Sequence, residues 1–279
     1  MISLVLALLL GQAGQDAKPQ RTDAPPLVAD RIILVGDSTM APSSGWGSIF
    51  CAEHVKSSVA CLNMGRGGRS TRSYRTEGSW DLILGELKLK GYRSTYVLIQ
   101  FGHNDQSDIA ERWTDLATEF PANLRRFVNE VRAAGGIPVL VTPLARRAFK
   151  DGQLDNTLGP WAVATRQVAQ EMKVPLADLN ADSAALIQKM GPVDAMTFAM
   201  APPLPSEIAA AKTGTTLPPR SAADARLPDV ATASNGPRGQ IVRKFDYTHL
   251  GSAGATTFAR IVTYELAATV PELRSQLLP

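Results

Sequence analysis

The stretch Arg31-Ile32-Ile33-Leu34-Val35-Gly36-Asp37-Ser38-Thr39-Met40 decides the fold. Its first half is a short apolar, β-branched run, the pattern of a buried strand. The run breaks at Gly36. An acid, a serine and a threonine follow, then Pro42 and a helix-like stretch from Trp46. A hydroxyl therefore stands where a buried strand ends and a helix is about to begin. In open α/β sheets, ligands bind at the carboxyl ends of strands. A serine in that place is either a helix cap or a nucleophile, and from this stretch alone the cap is the plainer reading.

Working outward, the same alternation recurs. Trp46 to Lys56 reads as a helix and Ser58 to Met64 as a second strand, broken by Gly65-Arg66-Gly67-Gly68-Arg69-Ser70. Trp80 to Lys90 reads as a helix. Thr95 to Phe101 is the plainest strand and ends at Gly102-His103-Asn104-Asp105. Leu116, Phe120, Leu124, Phe127 and Val131 recur at spacings of three and four, which predicts an amphipathic helix ending at Gly135-Gly136. Ile137 to Val141 is a fourth strand, Trp161 to Lys173 a helix, Val174 to Leu179 a short fifth strand, and Asp182 to Met190 a helix. Strands alternating with helices predict a three-layer α/β/α fold around a five-stranded parallel sheet, with flavodoxin-like strand order expected. Ser252 to Leu266 reads as the last helix.

Residues 191–243 break the pattern. They hold eight of the 19 prolines and no sustained period. Only Glu207 to Lys212 and Ala222 to Arg226 suggest single helical turns. A segment of this length without regular structure reads as an insertion serving as a functional lid or a mobile element.

The N-terminus is apolar from Met1 to Leu10, with small residues at Gly11 to Gly14. This predicts a signal peptide over 1–13, although its start lacks Lys and Arg, then a linker over 14–28 and one domain over 29–279. A secreted or periplasmic protein is expected. The apolar run is too short to span a bilayer, so no stable membrane anchor is expected. With 279 residues and 44% hydrophobic residues the chain can bury a sizeable core. The net charge is +3 and no long Lys/Arg run occurs, so nucleic acid is not an expected partner. The two cysteines, Cys51 and Cys61, are too few for a disulfide scaffold or a closed zinc site; they either pair or remain two buried thiols.

Three strand ends lie on one sheet edge in this fold: Gly36-Asp37-Ser38, Gly67-Gly68-Arg69-Ser70 and Gly102-His103-Asn104-Asp105. A fourth element, Asp246-Tyr247-Thr248-His249, precedes the last helix. Asp and His three residues apart can stack within one turn, so the carboxylate can orient an imidazole on which a serine depends. Singly, each element reads as a turn or cap. Jointly they describe one site.

These four stretches resemble the four blocks of the SGNH (GDSL-type) hydrolases, with Ser38, a glycine of the second block, Asn104 and His249 in the four lettered places. Gly36-Asp37-Ser38-Thr39-Met40-Ala41, Gly68-Arg69-Ser70-Thr71-Arg72-Ser73-Tyr74, Phe101-Gly102-His103-Asn104-Asp105 and Asp246-Tyr247-Thr248-His249 resemble, more narrowly, the rhamnogalacturonan acetylesterases. The resemblance implies a serine esterase acting on an acetylated polysaccharide, without cofactor or metal. Ser38, His249 and Asp246 would form its triad, and Ser38, Gly68 and Asn104 its oxyanion hole. His103 would contact substrate or fix its loop by hydrogen-bonding the backbone. Arg66, Arg69, Arg72 and Arg75 would suit an anionic polymer such as galacturonate, with Arg69 the chosen substrate contact and Arg66 and Arg75 read as structural or solvated. His54 reads as a surface helix residue, and a monomer is expected. A lipid or aryl esterase of the same chemistry is the main alternative. A two-metal phosphoesterase is disfavoured, since only three histidines occur. A non-catalytic carbohydrate binder would have no use for an Asp–His pair beside a serine.

Overall fold

The computed structural model describes residues 28–218 and 244–279. Strand β1 (Ala29–Gly36) lies inside the main sheet, paired along both sides. Around it lie β2 (Val59–Asn63), β3 (Tyr92–Gln100), β4 (Ile137–Val141) and the two-residue β7 (Leu176–Ala177). A separate two-stranded hairpin carries β5 (Phe149–Lys150) and β6 (Gln153–Leu154). The main sheet is parallel with order β2-β1-β3-β4-β7, the expected flavodoxin-like order. Ile33 pairs with Leu62 on one side and Val97 on the other, so the chain reverses its direction of sheet growth at β1. That reversal opens a crevice at the carboxyl ends of β1 and β3.

Side-chain alternation along β1 builds two cores. Ile32 and Leu34 face α1 (Gly47–Glu53), α6 (Leu179–Asp194) and α8 (Ser252–Thr269), meeting Phe50, Ile187, Phe258 and Val262. Ile33 and Val35 face α3 (Ser79–Leu87), α4 (Glu119–Ala133) and α5 (Gly159–Met172), meeting Ile83, Leu124, Phe127 and Val168. All of these are fully buried or nearly so, each contributing about 1.5–3 kcal/mol. Period two on the strands and period 3.6 on the helices thus meet in three layers.

Several expectations change. The fifth strand is cut to two residues because Asp178 leaves the sheet to cap α6, accepting from the N–H of Ala181. The β5–β6 hairpin turns at Asp151-Gly152, both at positive φ, an Asp-Gly signal the sequence reading passed over. A one-turn helix, α2 (Ser73–Thr76), follows the second strand end. Within 191–243 the described part is ordered: a 3₁₀ turn at Ala195–Phe198 and α7 (Pro205–Lys212), which contains the turn expected from Glu207. The turn expected at Ala222 to Arg226, the leader and nearly all of the linker lie outside the described residues. Cys51 and Cys61 are paired, with Cα atoms 5.4 Å apart. His54 is not a surface residue. It is buried, and its Nδ1 lies 2.7 Å from the carbonyl oxygen of Leu278, tying α1 to the chain end.

Candidate active site

Ser38 sits in a tight turn, not at a helix N-terminus, because α1 starts only at Gly47. The main-chain oxygen of Asp37 accepts from Met40 and Ala41 at 3.2 and 3.0 Å. Asp37 Oδ1 accepts from the N–H and the hydroxyl of Thr39, both at 2.8 Å. Gln100, at the end of β3, donates to Thr39 Oγ1 at 2.6 Å and accepts from Trp46 Nε1 at 2.9 Å. The Ser44 hydroxyl holds the carbonyl of Ser38 at 2.7 Å. Gly36 is required at the entry, since a Cβ there would lie 2.7 Å from the Gln100 carbonyl oxygen. Among the described residues no acceptor takes the backbone N–H of Ser38.

The Asp246–His249 loop folds around one carboxylate. Asp246 Oδ1 accepts from the N–H groups of Thr248 and His249, both at 2.7 Å, while Oδ2 meets His249 Nδ1 at 2.7 Å. That leaves Nε2 facing outward, 2.9 Å from Ser38 Oγ. Partial burial pushes the Asp246 carboxyl up, but the imidazole and the two N–H bonds outweigh it and hold it at about 2. It stays ionised and keeps Nδ1 protonated, so Nε2 is left as a proton acceptor.

The second and third strand ends close the other side. An ideal Cβ on Gly67 would lie 3.7 Å from Ser38 Cβ. Gly68 has φ of +78°, and its N–H has no acceptor among the described residues. Asn104 donates one amide N–H to the Arg69 carbonyl at 3.0 Å, and its second N–H has no acceptor among the described residues.

His103 is not placed to touch substrate directly. Its side chain is 4% exposed, and Nδ1 lies 3.3 Å from Asp37 Oδ2 beneath the Ser38 turn. Burial pushes Asp37 up, but His103 and the Thr39 bonds bring its carboxyl below the ordinary value. Arg69 is not free either, since it donates to Glu77 and to the Gly67 carbonyl, both at 2.7 Å. Arg72 is bound to Glu119 and Arg75 to Glu130, while Arg66 is exposed. Three of the four arginines therefore brace the loop after β2.

Two residues that matter here escaped the sequence reading. Arg147 is fully buried and donates to the carbonyls of Asp246, Thr248 and His249 at 2.9, 3.3 and 2.8 Å. Burial pushes its guanidinium down to about 10, still charged at neutral pH. Arg146 donates to Thr248 Oγ1 at 3.1 Å and to the His103 carbonyl at 3.4 Å. Both follow the end of β4, a strand end on the same sheet edge, and that position was the available signal.

A parallel sheet with a serine after its first strand, an Asp–His pair before its last helix and free donors between them define an SGNH-type hydrolase. The chain belongs to the GDSL-like Lipase/Acylhydrolase family, whose pattern matches residues 34–198, and it is a carboxylic ester hydrolase. It is 35% identical over 170 residues to the rhamnogalacturonan acetylesterase RhgT of Bacillus subtilis, covering 58% of this chain and 70% of that protein. It is 31% identical over 180 residues to the probable rhamnogalacturonan acetylesterase YesY of the same organism, covering 62% and 81%. The crystal structure of YxiM from Bacillus subtilis shares the fold with a TM-score of 0.59 at 23% identity, over 86% of this chain and 57% of that one.

Proposed function

We propose that this protein is an exported serine esterase that removes acetyl groups from a pectic plant cell-wall polysaccharide, rhamnogalacturonan. The observation that carries the reading is the hydrogen-bonded chain from Ser38 Oγ through His249 to Asp246, together with backbone N–H groups of Ser38 and Gly68 that have no acceptor among the described residues. The named activities of the two Bacillus relatives support acetyl and pectin as the ester and the polymer. Ser38 Oγ attacks the acetyl carbonyl as His249 Nε2 takes its proton. The developing oxyanion is held by the N–H groups of Ser38 and Gly68 and by the free amide N–H of Asn104. His249 returns the proton to the departing sugar hydroxyl. Water, deprotonated by the same imidazole, then releases acetate from the acetyl-serine.

Labelling with an organophosphonate and mapping the modified residue tests the nucleophile; modification anywhere but Ser38 removes the mechanism. Acetate release from pectic fragments, with xylan fragments as the comparison, tests the substrate. A second reading, an esterase for lipid or aryl esters, draws on an apolar cavity of about 450 Å³ lined by Val193, Met196, Met200, Pro202 and Ile208. Preference for acyl chains longer than butyryl would favour it.

A further inference from the structure

Besides the exposed Arg66, Arg112 is a guanidinium near the site that no acid engages among the described residues. Its terminal nitrogens lie 3.3 and 3.6 Å from where a Cβ on Gly68 would be, so it rests against the glycine assigned to the oxyanion hole. Gly68 is the neighbour of Gly67, which abuts Ser38. Arg69, Arg72 and Arg75 each pair with a glutamate, but no acidic side chain pairs with Arg112 among the described residues. The turn that presents it is tied down. Thr114 donates through its N–H and its hydroxyl to the carbonyl and carboxylate of Asp105, both at 3.0 Å. Arg72 also donates to the Ala110 carbonyl at 3.4 Å. The next residue, Trp113, is 47% exposed. A partly buried guanidinium on an anchored turn, with no ion pair among the described residues, is suited to bidentate binding of a carboxylate.

Resting on the acetylesterase reading, we infer that Arg112 is a specificity-determining residue, binding the carboxylate of a uronate in the substrate next to the ester being cleaved. This moves the recognition of polymer charge from Arg69, which is engaged internally, to a residue 43 positions further along the chain.

The test compares an acetylated galacturonate oligosaccharide with its methyl ester, which keeps the sugar and removes the charge. Rates are normalised to active sites titrated with the organophosphonate. The wild type is expected to favour the free acid in kcat/KM. Arg112→Gln should reduce that preference about tenfold to a hundredfold, through KM, and Arg112→Lys should keep part of it. Added salt should erode the wild-type preference as well. No preference in the wild type, or equal losses on both substrates in Arg112→Gln, overturns the assignment. If neither oligosaccharide releases acetate while an aryl acetate is hydrolysed, the carbohydrate reading falls and this assignment with it.

Discussion

Arg147 Nη2 lies 2.8 Å from the carbonyl oxygen of His249, 102 residues further along the chain. The same nitrogen meets the Asp246 carbonyl, so one buried cation clamps both ends of the loop that presents the imidazole. Arg147→Met keeps much of the volume and removes every donor. Each buried carbonyl left without a partner costs about 1–3 kcal/mol. A loss on the order of 3 kcal/mol is expected in urea unfolding, with a fall in kcat as His249 loses its aim. Unchanged midpoint and turnover would show that the clamp is idle.

Ser38→Ala should lose roughly 10⁴-fold or more in kcat, because nucleophile and base act as a unit. The turn should survive, since it is held by Asp37, Thr39, Ser44 and Gln100 and not by the Ser38 hydroxyl. An unfolding midpoint within error of wild type checks the second half, and wild-type turnover would remove the mechanism.

Asn104→Ala should lower kcat about 10²–10³-fold with a smaller change in KM, as expected for a donor that strengthens in the transition state. A change confined to KM would place Asn104 in ground-state binding.

Asp105 predicts a pH-dependent stability. It is fully buried, and burial pushes its carboxyl up to about 7, with Asp37 nearby adding to the rise and the bonds from Thr71 and Thr114 opposing it. Below about pH 4 the carboxyl is protonated in folded and unfolded chains alike. Between about pH 4 and pH 7 the unfolded chain gives up the proton and the folded chain keeps it, so stability falls as pH rises through that window. Asp105→Asn mimics the protonated acid and should flatten this decline, read as urea midpoints at several pH values. Asp246 acts oppositely: held at about 2, its contribution is present above about pH 4 and is lost as pH falls towards 2.

The bridge from Cys51 to Cys61 closes a short loop between α1 and β2. Replacing both cysteines with alanine should cost about 2–3 kcal/mol in the chain-entropy model. Little change in kcat is expected, because neither residue contacts Ser38, Asp246 or His249. A stability equal to wild type would show that the link constrains nothing.

The fold was legible where its signals are local. Apolar runs such as Ile32 to Val35 and the three-and-four spacing from Phe120 to Val131 name their elements directly. The four strand-end and loop blocks were legible too, because turn chemistry and the Asp-x-x-His spacing are properties of a few consecutive residues. The β5–β6 hairpin was missed because two-residue strands carry no period, although its Asp-Gly turn was in view.

Charged residues were read less well, for one physical reason. An arginine's role depends on which acid it reaches, and that is set by packing between segments distant in sequence. Arg69 finds Glu77 and the Gly67 carbonyl, and Arg72 finds Glu119, 47 residues away, so neither stands free for substrate, whereas Arg75, read as structural or solvated, does pair with Glu130. His103 read as a substrate contact or as a residue fixing its loop through the backbone; Gly102 at φ of +143° precedes a turn that leaves the imidazole inside, where it meets the Asp37 side chain instead. Periodicity and turn chemistry act over a few residues, so the layers, the strand order expected of them and the candidate residues that meet at Ser38 could be read from the sequence. That Arg147 clamps the His249 loop, and that Arg112 has no ion pair among the described residues beside Gly68, could be seen only in the folded chain, because ion pairs and burial are settled by contacts between distant segments.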